Sequence, residues 1–561
     1  MAVAARWWCC WTPDVSPQIA RLSLWIVAVA ALAVCIANLG RPLANPDEGR
    51  YSEISREMVA SGDWITPRLN GVKYFEKPPL QYWASAAALS VFGDEEFAAR
   101  LYVALCGLLT VLIVGYTGAR LGGPNAGIAS MLVLIASPYY MALGGIVTLD
   151  MGLTLWTTAT LCAYLLAESA RDGSRERRRW LIAVWSAMAL AVLSKGLIGM
   201  VFPAAALFLH CLARRDFTPV LRLEWGYGLV VFFAIAAPWF VAVSYANPEF
   251  AEFFFVNEHF RRFLTHVHRR NEPWWYFIPI LAAGFLPWMF ALPSAITHAW
   301  RLEGRGHGPQ PLRLAVVYGA FVVVFFSASG SKLPAYILPA FPPLALALGR
   351  YLVDAPARRL ALLATPIAFI ALALGYAGWI SPDGAREAWT RALYLEARPW
   401  ALAAAGILFL VGVGVPMILL RGRRWRAMAL AALGTVLLIG CLERAFERMA
   451  PRQSGLAVAE RIRPLLTPAT RLYSVKMYDQ TVPFYLGRTV TLVDYGDEFE
   501  TGLKTQPELR IDDVARFPDE WLRPGDALAI MHPDIYQTLR AQGLPMQVVQ
   551  EDPRRVLVRK P

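Results

Sequence analysis

The sequence predicts a polytopic α-helical membrane protein of about thirteen crossings that ends in a soluble α/β domain. Three observations carry that expectation. Charged residues make up 17% of the 561 and hydrophobic residues 57%, with a mean hydropathy of +0.41, whereas a soluble domain carries about 25% charge. Apolar runs of about 18 residues recur along most of the chain, each long enough for a hydrocarbon core of roughly 30 Å. Near Ala450 they stop, and amphipathic helical patterns alternate with short strand-like runs.

The expected spans, in order, are 21–39, 98–120, 124–141, 150–168, 180–197, 199–213, 226–245, 276–298, 313–330, 334–352, 358–380, 398–420 and 427–446. The first is too long for the apolar core of a signal peptide, and no small-residue cleavage site follows it. The stretch "PPLQYWASAAALSVFG" from Pro78 is short and follows a Pro-Pro break, so it reads as an interfacial helix. With the N-terminus inside, six loops face the cytoplasm. They hold Arg120, "RDGSRERRR" from Arg171, Arg214 with Arg215, Arg301, Arg359, and "RGRRWR" from Arg421. This is the positive-inside bias, and a crossing at 78–93 would reverse it. The +12 net charge is therefore a topology signal. Its separate loops do not form the single basic patch that nucleic-acid binding needs.

The soluble part is expected to place "RLYSV" from Arg471, "TVTLV" from Thr489, "ALAIM" from Ala527 and "RVLVRK" from Arg555 in a mostly parallel sheet. An odd number of crossings puts it outside, beside the first external loop. Residues 1–446 then form the membrane domain, with that loop at 40–97, and 447–561 the soluble domain. No cysteine falls in an external loop or in the soluble part, so no disulfides are expected. No internal repeat of the transporter kind is found.

Ionisable residues gather at the external ends of the spans. The first loop supplies Asp47, Glu48, Arg50, Tyr74, Glu76 and Lys77. Later loops supply Asp150, Lys195, Asn257, Glu258, His259, Arg261, Arg262, His266, His268, Lys332 and Tyr336. So many on one side suggest a site rather than scattered snorkelling. Blander readings apply to some. Glu53, Arg56 and Glu57 lie at helical spacing and read as the solvated face of a surface helix. Asp47 and Glu48 follow Pro46 and suit a first helical turn, although a cap needs only one carboxylate. Trp274, Trp275 and Tyr276 read as an interfacial belt. His266 and His268 are a short pair that could ligate a metal. Taken together, carboxylates and cations beside apolar grooves suit a lipid-phosphate glycosyl donor. Outside the cytoplasm there are no nucleotide sugars, so the sugar must arrive on a lipid phosphate that cations can hold.

The motifs "NPDEGRYSEISREM", "YFEKPPLQYW", "TLDMGLT", "LSKGLIG", "NEHFRRF" and "SKLPAYILPAFPPLA" span nearly the whole chain. Their order resembles the C-type glycosyltransferases that use polyprenyl-phosphate sugars and are related to protein O-mannosyltransferases. Within these it is most similar to the bacterial 4-amino-4-deoxy-L-arabinose lipid A transferases. The resemblance implies an undecaprenyl-phosphate-linked sugar donor and a lipid A phosphate acceptor. It also implies a site on the periplasmic face of the bacterial inner membrane and resistance to cationic peptides such as polymyxin. The family's catalytic acidic motif falls here on Asp47 and Glu48. On that footing Asp47 orients the sugar or stabilises its developing charge, and Asp150 supports a lysine or the sugar amine. Arg50, Lys77 and Lys195 hold the donor phosphate, while Tyr74, His259, Lys332 and Tyr336 line the substrate cleft. Glu76 with His259, His266 and His268 would form a structural divalent-metal site, for zinc, with no metal required for the chemistry. Membrane lipids are the remaining expected partners, nucleic acid is not one, and the chain is expected to be monomeric. Three alternatives stand beside this: transfer to a hydroxyl acceptor, which needs a base at Asp47; a lipid-linked sugar flippase, which predicts charges at the bilayer midplane; and a non-catalytic lipid sensor, which would bind the carrier without turnover.

Overall fold

A computed structural model of the protein describes residues 17–255, 272–303 and 309–561. Among these, nine helices are long and apolar enough to cross a membrane: Gln18–Leu39, Glu96–Gly122, Leu149–Ser169, Trp225–Ala246, Pro311–Ala328, Pro334–Asp354, Ala357–Gly384, Ala388–Leu420 and Arg424–Arg448. A tenth candidate is the pair Phe277–Gly284 and Met289–Leu302, bent by 112°. The thirteen expected spans each contain helix, yet three fall short of the criterion. The 124–141 stretch splits at Ser137, which takes an extended conformation before Pro138; a proline disfavours helix in the residue before it. What remains, Pro124–Ile135, has 12 residues, a rise of about 18 Å. Ile198–Arg214 has 17 residues. Arg175–Lys195 has 21, but opens on Arg175, Glu176, Arg177, Arg178 and Arg179.

Leu149–Ser169 and Pro334–Asp354 are the most interior spans, with 89% and 83% of their apolar stretches buried. They carry Asp150 and Tyr336 near their N-terminal ends. Trp274 and Trp275 are exposed, as belt residues should be. The cysteines among the described residues, Cys35, Cys106, Cys162, Cys211 and Cys441, are free.

The first loop folds as a unit. Helix Asp47–Ser61 is followed by a hairpin pairing Arg68 with Lys73 and Leu69 with Val72. Its turn is Asn70-Gly71, with φ of 53° and 78°. Two consecutive positive φ values are what a two-residue hairpin loop requires, and Asn-Gly adopts them readily. Helix Leu80–Phe92 closes the loop. Its 13 residues are too few to span, in line with an interfacial role.

The C-terminal part holds a six-stranded sheet in the order Arg510–Ile511, Thr491–Val493, Arg471–Val475, Ala527–Met531, Arg555–Arg559, Gln547–Asp552. The first four strands are parallel, and Arg555–Arg559 runs antiparallel to both of its neighbours. The expected mostly parallel sheet is thus mixed, with two further strands. Arg510–Ile511 has only two residues. Gln547–Asp552 is largely exposed and reads "QVVQED", so neither carries an apolar signal. Along the central strands the faces alternate, as a pleated strand demands. Leu472, Leu528, Ile530 and Leu557 pack into one core with Leu43, Ile54, Met58, Val72 and Tyr82 of the first loop. Tyr473, Val475, Ala529, Met531, Val556 and Val558 pack on the opposite face with Phe517, Trp521 and Tyr536. One face of the sheet is therefore the roof of the first loop. The contact is close at Gly49, where an added Cβ would lie 2.6 Å from the backbone carbon of Gln480.

Candidate active site

Helix Asp47–Ser61 presents its first turn to the site. The Asp47 side chain is 39% exposed, and Arg50 Nη1 donates to its Oδ1 at 3.1 Å. Arg50 Nη2 donates to Glu498 of the C-terminal domain at 2.5 Å. The third edge of the guanidinium, Nε, is buried with no hydrogen-bond partner among the described residues. The hydroxyl of Tyr74 is in the same state, and its ring lies within electrostatic reach of Arg50 and Glu76. Burial pushes that phenol well above its ordinary range, so it stays an O–H donor. Two buried donors within electrostatic reach of each other, neither with an acceptor among the described residues, mark where a ligand's oxygens would go. Glu76 and Lys77 are half-buried between the buried Phe75 and Pro78-Pro79. Phe75 packs edge-on against Phe250 at 5.4 Å, and Lys77 Nζ donates to the Glu76 carbonyl at 2.8 Å.

The second group comes from three spans. Asp150 lies in the first turn of Leu149–Ser169, and Lys195 ends the antiparallel Arg175–Lys195, stopped by Gly196 at φ 81°. Lys195 Nζ contacts Asp150 Oδ1 at 2.5 Å and sits 4.8 Å from the centre of the Tyr336 ring. Beside them an apolar cavity of about 440 Å³ runs between the helices. Its lining includes Val192 and Leu197, which flank Lys195, with Phe240 and Phe255 nearby and Trp185 and Trp225 farther off.

Two expected site residues serve elsewhere. Glu48 is 1% exposed and fully engaged. It takes Arg41 on both oxygens at 3.0 and 3.2 Å, Arg100 on both at 2.9 Å, and the amides of Ala44 and Val147 at 3.0 and 3.1 Å. Burial raises its carboxyl, but Arg100 and Arg41 outweigh that and hold it at about 2. A carboxylate so saturated is a scaffold rather than a catalytic acid: it ties the helix of Asp47 to the chain that leads into Asp150. Lys332 is buried and donates to the Ser329 carbonyl at 2.6 Å, so it braces its own turn. Sequence reading missed Arg41, Arg100 and Glu498. An arginine inside the expected span 98–120 was the available signal for Arg100; Glu498 had none. Asn257, Glu258, His259, Arg261, Arg262, His266 and His268 lie outside the described residues, so of the expected zinc ligands only Glu76 is seen.

Glu53, Arg56 and Glu57 do not form a solvated face. They are 0%, 6% and 8% exposed beneath the C-terminal domain. Arg56 grips both oxygens of Glu53 at 2.7 Å, and Glu57 accepts from the Gly71 amide at 2.8 Å. Burial, then the neighbouring Glu53, pushes the Glu57 carboxyl up to about 8. A folded-state value above the ordinary one stabilises the protein fully below about 4.5, and that stability is lost as pH rises through about 8. The melting temperature of the purified chain should therefore fall between pH 6 and pH 9. Glu57→Gln, neutral throughout, should remove roughly 3 °C or more of that fall. An identical pH dependence in the variant would show that Glu57 is not the group involved.

The aminoarabinose transferase C-terminal domain family matches residues 458–560, and the dolichyl-phosphate-mannose-protein mannosyltransferase family matches residues 24–254. An undecaprenyl phosphate-α-4-amino-4-deoxy-L-arabinose arabinosyl transferase of Erwinia tasmaniensis is 30% identical over 510 residues, 88% of this chain and 90% of that protein. The corresponding transferase of Edwardsiella ictaluri is 34% identical over 313 residues, 56% of each chain. The crystal structure of ArnT from Cupriavidus metallidurans bound to undecaprenyl phosphate is similar at 35% identity with a TM-score of 0.89, covering 95% of this chain and 97% of that one.

Proposed function

The chain belongs to the undecaprenyl phosphate-4-amino-4-deoxy-L-arabinose arabinosyl transferase family, and from that premise we propose that it moves this sugar from undecaprenyl phosphate to a lipid A phosphate at the periplasmic face of the bacterial inner membrane. The observation that carries this reading is a half-buried cation whose chain neighbours line an apolar cavity. Lys195, oriented by Asp150 and Tyr336, stands between two residues that line the 440 Å³ space. A polyprenyl tail suits the cavity and its phosphate suits the lysine. To the same phosphate we assign Arg50, Tyr74 and Lys77 of the first loop, where Arg50 Nε and the Tyr74 hydroxyl are buried donors with no partner among the described residues.

In the reaction an acceptor phosphate oxygen attacks the anomeric carbon. The new carbon–oxygen bond forms as the bond to undecaprenyl phosphate breaks, and the electron pair leaves with that phosphate. An ionised phosphate needs no general base. Asp47 orients the sugar and stabilises the positive charge that develops on its ring, while Lys195, Arg50 and Lys77 stabilise the departing phosphate. Mass spectrometry of lipid A from cells with and without the chain tests this. Addition of one aminopentose is expected. Sugar found on protein instead would point to a hydroxyl acceptor, and unmodified lipid A with translocated donor would point to a flippase.

Thirteen crossings with the N-terminus inside give the matching topology. The shared core of the first loop and the C-terminal domain supports it, because both must then lie on one side. That requires an even number of crossings between residues 97 and 447. Reporter fusions at Ser174 and Arg423 should read cytoplasmic, and one at Pro561 periplasmic. A cytoplasmic signal at Pro561 would overturn this topology.

A further inference from the structure

Arg50 and Glu498 are 448 positions apart in the chain and meet at 2.5 Å. We propose that Glu498 is a positioning residue for sugar transfer: it aims the Arg50 guanidinium, and through it the Asp47 carboxylate, at the reacting groups. The inference rests on the transferase reading of the site.

A guanidinium is a rigid planar fork, so fixing two of its nitrogens fixes the direction of the third. Here Nη1 is fixed by Asp47 and Nη2 by Glu498, which leaves Nε directed into a buried space without an acceptor among the described residues. Asp47 and Arg50 sit three residues apart on one helix. Left to themselves they could close into a bidentate pair, which would satisfy the arginine and mute the carboxylate. Glu498 prevents that by claiming Nη2.

Glu498 is itself held firmly enough to act as a reference point. Its side chain is 6% exposed. It accepts from Gln480 Nε2 at 3.0 and 3.4 Å. The backbone of Gln480 is the surface on which Gly49 rests, one residue before Arg50. The next residue, Phe499, is fully buried and meets the Tyr478 ring edge-on at 4.9 Å. A second clasp, Asn45 Nδ2 to Asp479 Oδ1 at 2.8 Å, ties the chain before Asp47 to the same turn. The domain contact would hold without Glu498, since the apolar core and these bonds already join the two parts. The carboxylate is therefore free to serve the arginine.

The test uses the full-length chain in nanodiscs, with undecaprenyl-phosphate aminoarabinose and lipid A as substrates. Glu498→Gln keeps the shape and an acceptor oxygen but loses the charge. It should lower kcat about tenfold, leave KM for the donor within about twofold, and leave the melting temperature unchanged. In Arg50→Ala the same substitution should cost nothing further, because the two residues act as one unit. Gln480→Ala removes the other support of Glu498 and should lower kcat about threefold. Wild-type kcat in folded Glu498→Gln, or a loss that adds in full to that of Arg50→Ala, overturns the assignment. Should Glu498→Gln fail to fold, wild-type kcat in Gln480→Ala overturns it alone. Failure of the wild-type chain to transfer any sugar would instead sink the transferase reading.

Discussion

Asp47→Asn should abolish measurable transfer, with a fall in kcat of about 10²–10³-fold, in a protein that folds and melts like the parent. The amide has nearly the same shape, and its oxygen can still accept the 3.1 Å hydrogen bond from Arg50. What it lacks is the charge. A carboxylate beside the sugar ring stabilises the oxocarbenium character that grows as the bond to phosphate stretches, whereas an amide dipole does so weakly. The side chain is 39% exposed, so its removal leaves no buried charge to destabilise the fold. Initial rates of purified enzyme in nanodiscs, with melting curves alongside, decide the matter. A rate near that of the parent would reduce Asp47 to a favourable charge at a helix N-terminus.

Arg100→Leu should remove most of the protein from the membrane. Arg100 is fully buried, and its Nε and Nη2 each contact Glu48 at 2.9 Å. It also donates to the carbonyls of Leu39 at 2.7 Å and Pro42 at 3.1 Å. One side chain thus closes the end of the first span, the start of the first loop and the buried carboxylate. Taking away one partner of a buried ion pair costs about 3–5 kcal/mol, a large share of the 5–15 kcal/mol that typically holds a domain together. Yield and melting temperature in detergent are the readouts. Parental yield and melting in the variant would refute the scaffold role.

Much of this arrangement was legible in the residues because charge is costly in an apolar chain. Asp150, Lys195 and Tyr336 are scattered over 187 positions, yet each stood out as polar at the end of an apolar run, and the fold joins them. Glu53, Arg56 and Glu57 show where such reading stops. Charges at i, i+3 and i+4 look alike whether water or another domain covers them. What covers these is a sheet whose strands begin at Arg471, far away in sequence. Glu48 and Asp47 are adjacent and chemically similar, so only three-dimensional contacts separate scaffold from site. Three of the thirteen expected spans fall below the length-and-composition criterion for a different reason. A hydropathy window averages over Pro138 and over the arginines that open Arg175–Lys195, while helix length and composition do not.

The bridge between Arg50 and Glu498 also sets a clock. At roughly 5–20 residues per second, the ribosome needs roughly 20–90 s to travel the 448 residues that separate them. For that interval Ile54, Met58 and the Glu53–Arg56 pair of the first loop wait uncovered. A product cut short before Glu498 lacks both the partner of Arg50 and part of the sheet that covers the first loop.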